Sequence, residues 1–282
     1  MTAELVPRPP DSGLVGYGQL TADLRALGLR RGQDLLIHCS LRRVGPVNGG
    51  AATLLAALRA VTGPEATLVV PTETSVNSLT SRKFREATTG FDADQLARYV
   101  AAMPGFDPAS TPSDGMGAFA EHVRTRPGAR RSGHPQVSFA ALGPRSGDCT
   151  SVHDLDCHLG ERSPLRWLYD VDAAILLLGV GYAACTAFHL AEYRLSWTRP
   201  QTYTCFIAEG GRRIERTFTG IVLDDSVFGP LGQAMESAAA QGRVPGLRRG
   251  HVGSDLARLV PVRAAVDFAG FWLSDRRGGD IS

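Results

Sequence analysis

Lysine is almost missing from this chain. Among 30 basic residues Lys83 is the only lysine, an arginine preference that reads as coding bias rather than function. Neither sign of charge prevails: 30 basic and 28 acidic residues leave a net charge of +2, without the basic excess a dedicated nucleic-acid binder carries. The five cysteines, Cys39, Cys149, Cys157, Cys185 and Cys205, form no CxxC pair and are odd in number. A disulfide framework is therefore not expected, and a reducing compartment is. Long apolar runs are also lacking. The longest, around Ala173 to Val180, falls far short of the ~20 residues a spanning helix needs, and the opening MTAELVPRPPDSG has no apolar signal region. The expectation is a cytoplasmic protein whose partners include neither nucleic acid nor membrane.

What is present suits a large α/β core. Hydrophobic residues make up 43% of 282 residues, and no linker, repeat or low-complexity tract divides them, so residues 1–282 are expected to form a single domain. Residues 1–13, with three prolines, read as a loose arm. Gln19 to Leu29 reads as an amphipathic helix stopping near Gly28. A buried strand from Asp34 to Ser40, a glycine-rich turn, a helix from Ala51 to Val61 and a strand from Thr67 to Pro71 follow, the alternation of an α/β sheet. Residues 72–114, with a helix from Asp92 to Met103, read as an insertion or lid over a site. Val137 to Leu142 and Val171 to Val180 read as further strands. A hairpin is expected around Glu209-Gly-Gly211. Asp255 to Leu273 reads as a short helix, a strand and a final helix.

The segment Ile175 to Arg194 (ILLLGVGYAACTAFHLAEYR) carries the sharpest chemical pattern. Read as a helix from Cys185 to Leu195, it places Cys185, His189 and Glu192 on one face with Thr186 beside them, just past the carboxyl end of a core strand, where α/β sheets bind ligands. An imidazole one turn from a carboxylate is a general-base arrangement. Three other readings start here. Gly179-Val-Gly181-Tyr-Ala-Ala184 matches a dinucleotide fingerprint between strand and helix. Cys185 near a helix start, with His189 four residues on, could act as a nucleophile. His153, Asp154, Asp156, Cys157 and His158 form a ligand-rich loop that could hold zinc together with His189; the reading adopted here places no metal in the protein. A structural His189–Glu192 pair is the alternative to catalysis.

Several blocks, taken in order, resemble the aminoglycoside 3-N-acetyltransferase family: Ile37-His-Cys-Ser-Leu41 with Gly45-Pro-Val-Asn-Gly-Gly50, Thr67 to Thr72, Asp107 to Pro112 with Met116-Gly117, Arg131-Ser-Gly-His-Pro-Gln-Val-Ser138, Ser163-Pro-Leu165, Leu176 to Val180, Thr186 to Glu192, and Ala264 to Ala269. The resemblance implies a three-layer α/β/α sandwich around a central mixed sheet, unlike the common small acetyltransferase fold. It implies acetyl-CoA as donor and direct transfer to an amine, with an aminoglycoside or related amino-sugar as the small-molecule acceptor and antibiotic resistance as the associated role. In it His189 is the base, Glu192 orients His189 and Thr186 meets the thioester or the tetrahedral intermediate. Ser40, Leu41, Arg42, Val44, Met116, Gly117, Ser132, His134 and Ser138 fall where the family meets the coenzyme. Glu73 and Asp92 are candidate acceptor-binding carboxylates. A homodimer is a further expectation from the family.

The chain departs from the family pattern at Cys185, where Asn is usual, at Cys39, where a serine is usual, and in the acceptor-side stretch Glu73-Thr-Ser-Val-Asn-Ser78. Lys83, Arg82 and Arg85 also stand among the acidic residues that a polycationic acceptor needs. These features motivate the competing expectation of a biosynthetic acyltransferase for another amine, or of a coenzyme-binding homologue with altered catalysis.

Overall fold

A computed structural model of the chain describes residues 13–278; the expected arm lies outside these but for Gly13. The strands in chain order are β1 (Leu35–Cys39), β2 (Leu68–Pro71), β3 (Arg130–Arg131), β4 (Phe139–Leu142), β5 (Ala174–Leu178), β6 (Pro200–Glu209), β7 (Arg212–Ile221), β8 (Arg248–Val252) and β9 (Asp255–Pro261). Seven of them form one mixed sheet in the order β3-β4-β2-β1-β5-β9-β8, and β6 and β7 pair as a separate hairpin. β1 lies parallel to both β2 and β5, while the flanking strands run antiparallel.

Side chains alternate along the central strands and feed two cores. Leu35, Ile37, Leu176 and Leu178 pack with Leu20, Leu24, Leu54, Leu58 and Phe119 on one face. Leu36, Ile175 and Leu177 pack with Leu168, Phe188, Phe228, Met235 and Val266 on the other. The helices Tyr17–Leu27, Gly50–Thr62 and Gly117–Arg124 cover the first face, and Pro164–Asp170, Phe188–Tyr193, Phe228–Ala240 and Val262–Gly278 cover the second. That is the three-layer sandwich expected from the resemblance. Central strands buried on both faces read as unbroken apolar runs, which is why β5 was legible. At the amino end of β1 the Asp34 carboxylate accepts the Thr67 amide at 2.7 Å and pairs with Arg145, which ties β1 to the start of β2.

Two expected helices differ. The stretch from Cys185 to Leu195 is not one helix: a 3-10 turn, Tyr182–Ala184, leads through Cys185 and Thr186 to a short helix, Phe188–Tyr193. Tyr182, Cys185 and Ala187 are buried against the second core, and that packing breaks the helical period. The short helix expected at the start of Asp255 to Leu273 is instead strand β9, paired with β5 and β8. Residues 72–114 carry the helices Arg82–Ala87 and Ala93–Ala102, neither of which buries a residue. They are tied to the β6–β7 hairpin through backbone bridges Ser78–Cys205 and Phe106–Ile207. Asn77, fully buried, reinforces this by donating to the carbonyls of Pro135 (2.9 Å) and Phe206 (3.2 Å).

The helix Phe228–Ala240 approaches the Tyr182 turn closely at Gly232, where an added Cβ would lie 1.9 Å from the Tyr182 ring. Gly232→Ala should therefore cost about 1–3 kcal/mol through overpacking. Thermal denaturation should show a Tm lower by several degrees; an unchanged Tm would mean Tyr182 swings aside freely.

Candidate active site

A cavity of about 370 Å³ opens beyond the carboxyl ends of β1, β2 and β5, the position where open α/β sheets bind ligands. Its wall comes from segments far apart in the chain: Cys39 and Ser40 at the end of β1, Pro71 and Glu73 at the end of β2, Met116 and Gly117, Thr186 and His189 beyond β5, and Asp225 with Phe228. Gly179 (φ 62°) lets the chain leave β5 here, since a side chain would strike Arg43 and the Ser40 carbonyl within 3.0 Å. This glycine serves the packing of two strand ends. The helix that follows begins only at Phe188, so the Gly179–Gly181 motif lacks the strand–turn–helix geometry of a dinucleotide site.

His189 and Glu192 are adjacent turns of the short helix and are 8% and 9% exposed. His189 Nδ1 lies 2.5 Å from Glu192 Oε2, and Glu192 Oε1 accepts the Asp224 amide at 3.3 Å. The carboxylate thus has both oxygens engaged and holds the ring with Nε2 unclaimed by it. The His189 ring also rests on Phe228, with centroids 4.6 Å apart. Thr186 sits outside the helix in the preceding turn, its carbonyl accepting the His189 amide at 3.1 Å. Cys185 lies in the core at 1% exposure, and burial pushes its thiol up to about 12. It lines the cavity next to Thr186 while packed among apolar groups, a setting that favours the protonated thiol. Burial pushes the Cys39 thiol up to about 12 as well.

The charges around the cavity are one-sided. Glu73 and Asp225 line it, and among the described residues neither lysine nor arginine does. Burial raises the Glu73 carboxyl above its usual range, His189 opposing and Asp225 reinforcing that shift. The nearby cations are committed elsewhere: Lys83 pairs with Asp114 at 2.9 Å, Arg82 with Glu86 at 3.3 Å, and Arg85 donates to the Thr80 carbonyl at 2.7 Å. Asp225 was not singled out from sequence. It lies in a turn after the hairpin, where Asp is ordinary, and only the fold brings it to His189. Asp92 is not brought to the cavity: its carboxylate caps the helix Ala93–Ala102 in a capping box with Gln95.

The residues matched to the coenzyme divide into two groups. Ser40, Met116 and Gly117 line the cavity, and Leu41, Arg42 and Val44 form the turn that continues from Ser40, with Arg42 exposed and Val44 buried. Ser132, His134 and Ser138 are fully buried and do not line it. Ser138 hydroxyl donates to the Thr72 carbonyl at 2.8 Å, and Ser132 accepts the Phe139 amide at 2.9 Å.

His134 belongs to a packed cluster with His153 and His158, centroids 4.8 and 4.5 Å away, against Tyr203 and Phe218 of the hairpin. Carbonyl acceptors set the tautomers. His153 Nε2 donates to the His158 carbonyl (2.6 Å) and its Nδ1 faces Ser132 Oγ (2.9 Å). His134 Nε2 donates to the Leu155 carbonyl (3.2 Å) while Nδ1 accepts backbone amides. Asp154 and Asp156 are both held by Arg162 at 2.6 Å. This loop is a hydrogen-bonded dock for the hairpin, and among the described residues no group of three or more His, Cys, Asp or Glu is arranged to hold a metal ion.

A buried His189–Glu192 pair thus lies at a sheet-end cavity that Thr186, Glu73 and Asp225 also line. The family is then plain: residues 36–274 match the model of the aminoglycoside 3-N-acetyltransferase family, and the chain belongs to it. It is an acyltransferase of that family. It is 35% identical over 263 residues to the SPbeta prophage-derived aminoglycoside N(3')-acetyltransferase-like protein YokD of Bacillus subtilis (strain 168), covering 93% of each chain. The crystal structure of that protein superposes with a TM-score of 0.84, covering 93% of this chain and 94% of the other. Identity to aminoglycoside N(3)-acetyltransferase VII of Streptomyces paromomycinus is 34% over 285 residues, 98% of this chain and 97% of that one. The structure of AAC-IIIb in binary complex with CoASH is 28% identical with a TM-score of 0.80, covering 94% of this chain and 98% of that one. Among the described residues no helix is long and apolar enough to cross a membrane.

The buried histidines make a pH prediction. Burial lowers His153 and His158 from 6.5 to about 4 and His134 well below 6.5. Between those values the unfolded chain binds protons that the native chain does not, so stability rises with pH across this window and is lost as pH falls through it. The Tm measured at pH 5 should lie several degrees below that at pH 7. A flat profile would mean the three rings take up protons in the folded state.

Proposed function

We propose that the protein transfers an acetyl group from acetyl-CoA to an amine of an aminoglycoside or related amino-sugar, with His189 as general base. The observation that carries this reading is the 2.5 Å His189–Glu192 contact at the wall of a cavity whose charged lining side chains, among the described residues and besides histidine, are Glu73 and Asp225. The neutral amine nitrogen attacks the thioester carbonyl carbon, forming the C–N bond and moving the C=O π pair onto oxygen. His189 Nε2 takes the amine proton as the nitrogen gains positive charge, and Glu192 stabilises the resulting imidazolium. The Thr186 hydroxyl is placed to donate to the oxyanion. Collapse of the intermediate expels the coenzyme thiolate, and the imidazolium returns the proton to it.

The donor enters, in this reading, along the turn from Ser40 to Val44, with Met116 and Gly117 opposite and the exposed Arg42 suited to phosphate. Ser132, His134 and Ser138 would then act from behind, by holding the wall. Glu73 and Asp225 draw in ammonium groups of the acceptor. Lys83, Arg82 and Arg85 are absent from the described residues lining the cavity, which favours a cationic amino-sugar over a neutral biosynthetic amine.

Two variants test this. His189→Ala should lower kcat by about 10²–10⁴-fold in a thiol-release assay while coenzyme A still raises the Tm; full activity would remove the base assignment. Glu73→Gln should raise KM for a polycationic aminoglycoside several-fold, more so at low ionic strength, with kcat little changed. Equal KM values in the two proteins would place the acceptor elsewhere.

A further inference from the structure

His38 has no part in the scheme above, yet its place is anomalous. It is the fourth of five residues of β1, the middle strand of the seven, and the three before it are apolar and at most 1% exposed. A strand buried on both faces is normally apolar throughout, so an imidazole here forgoes a hydrophobic contact. Strand alternation sets His38 on the same face as Leu36, across from Leu177, and thus on the side that carries the helix of His189. It is 5% exposed and lines the active-site cavity. Its Nε2 lies 3.4 Å from Thr186 Oγ1.

We propose that His38 is a positioning residue for acetyl transfer: its Nε2–H donates to Thr186 Oγ1 and thereby leaves the threonine's own proton free to meet the oxyanion. This rests on the role given to Thr186 above. The threonine hydroxyl has a single proton. Were Nε2 the acceptor, that proton would be spent on the ring, and Thr186 could offer the oxyanion only lone pairs. With Nε2 as donor the hydroxyl is aimed by a group fixed in the central strand, while the Thr186 backbone is fixed by the His189 amide. The same residue is therefore held from both sides of the cavity. Burial keeps the His38 ring neutral, lowered to about 4, so it carries one N–H and does not compete with His189 as a base near neutral pH. A separation of 3.4 Å is long, and such bonds tighten as charge develops. When Thr186 donates to an oxyanion its oxygen becomes a better acceptor, so the His38 contact strengthens with the charge it supports.

The test compares His38→Gln with His38→Asn in the full-length protein. The Gln amide nitrogen reaches the position of Nε2, whereas the Asn amide reaches only that of Nδ1. Expected is a kcat within about threefold of the parent for His38→Gln, and a loss of about tenfold or more for His38→Asn, with the KM for acetyl-CoA within about twofold in both. On a Thr186→Ala background, His38→Asn should cause no further loss, because the two residues act as one unit. His38→Leu suits a buried strand and reads the same loss if His38→Asn does not fold. Equal kcat for His38→Gln and His38→Asn (or His38→Leu), or an undiminished loss on the Thr186→Ala background, would overturn the proposal. Should Thr186→Ala alone leave kcat unchanged, the oxyanion role of Thr186 is what fails, and the role of His38 fails with it.

Discussion

The parallel pairing of β1 with β5 is the constraint on which the site depends. Five rungs, from Leu35–Ala174 to Cys39–Leu178, bring two segments more than a hundred residues apart to the same height in the sheet. Both chains leave it there. The Ser40 amide still donates to the Leu178 carbonyl at 2.9 Å, and Gly179 admits the Ser40 carbonyl and Arg43 where a side chain would not fit. One departing chain becomes the turn proposed to meet the donor, and the other carries Thr186, His189 and Glu192. A slip of β5 by one residue would turn Ile175 and Leu177 to the wrong face and empty the core beneath the helix that carries His189.

That helix is short, with six residues, so its own hydrogen bonds cannot hold it. Phe188, Leu190 and Ala191 are fully buried in the second core and fix it from below. The Glu192 carboxylate can then remain nearly buried, since it has the ring on one oxygen and a backbone amide on the other. Leaving a buried carboxylate without such partners costs several kcal/mol. The cavity's negative character has an equally local origin. It arises from Glu73 and Asp225, with no lysine or arginine among the described lining residues.

The strands buried on both sides, the first helix and the long hairpin were legible because apolar runs, a 3.6 period and a glycine turn each follow from local chemistry. His189 and Glu192 were legible for a similar reason: a spacing of three puts them on one face of any helix. The continuous helix from Cys185 was misread because Tyr182, Cys185 and Ala187 are drawn into the core by tertiary packing that no period records. Only the start of strand β9 was read as a helix, for want of its partners, β5 and β8, which make the whole of Asp255–Pro261 a strand.

By itself, then, the sequence determined the α/β class, the family through its ordered blocks, and the pairing of His189 with Glu192, since all of these are written in near-neighbour patterns. Only the tertiary structure decided which candidates share the cavity. Asp225 joined Glu73 there, while Asp92 went to cap a helix. Ser132, His134 and Ser138 were buried behind the wall, and the histidine-rich loop became the dock for the hairpin. The reason is physical: a carboxylate or imidazole has the same local preferences in either setting, and its surroundings are set by strand register and packing between segments distant in the chain.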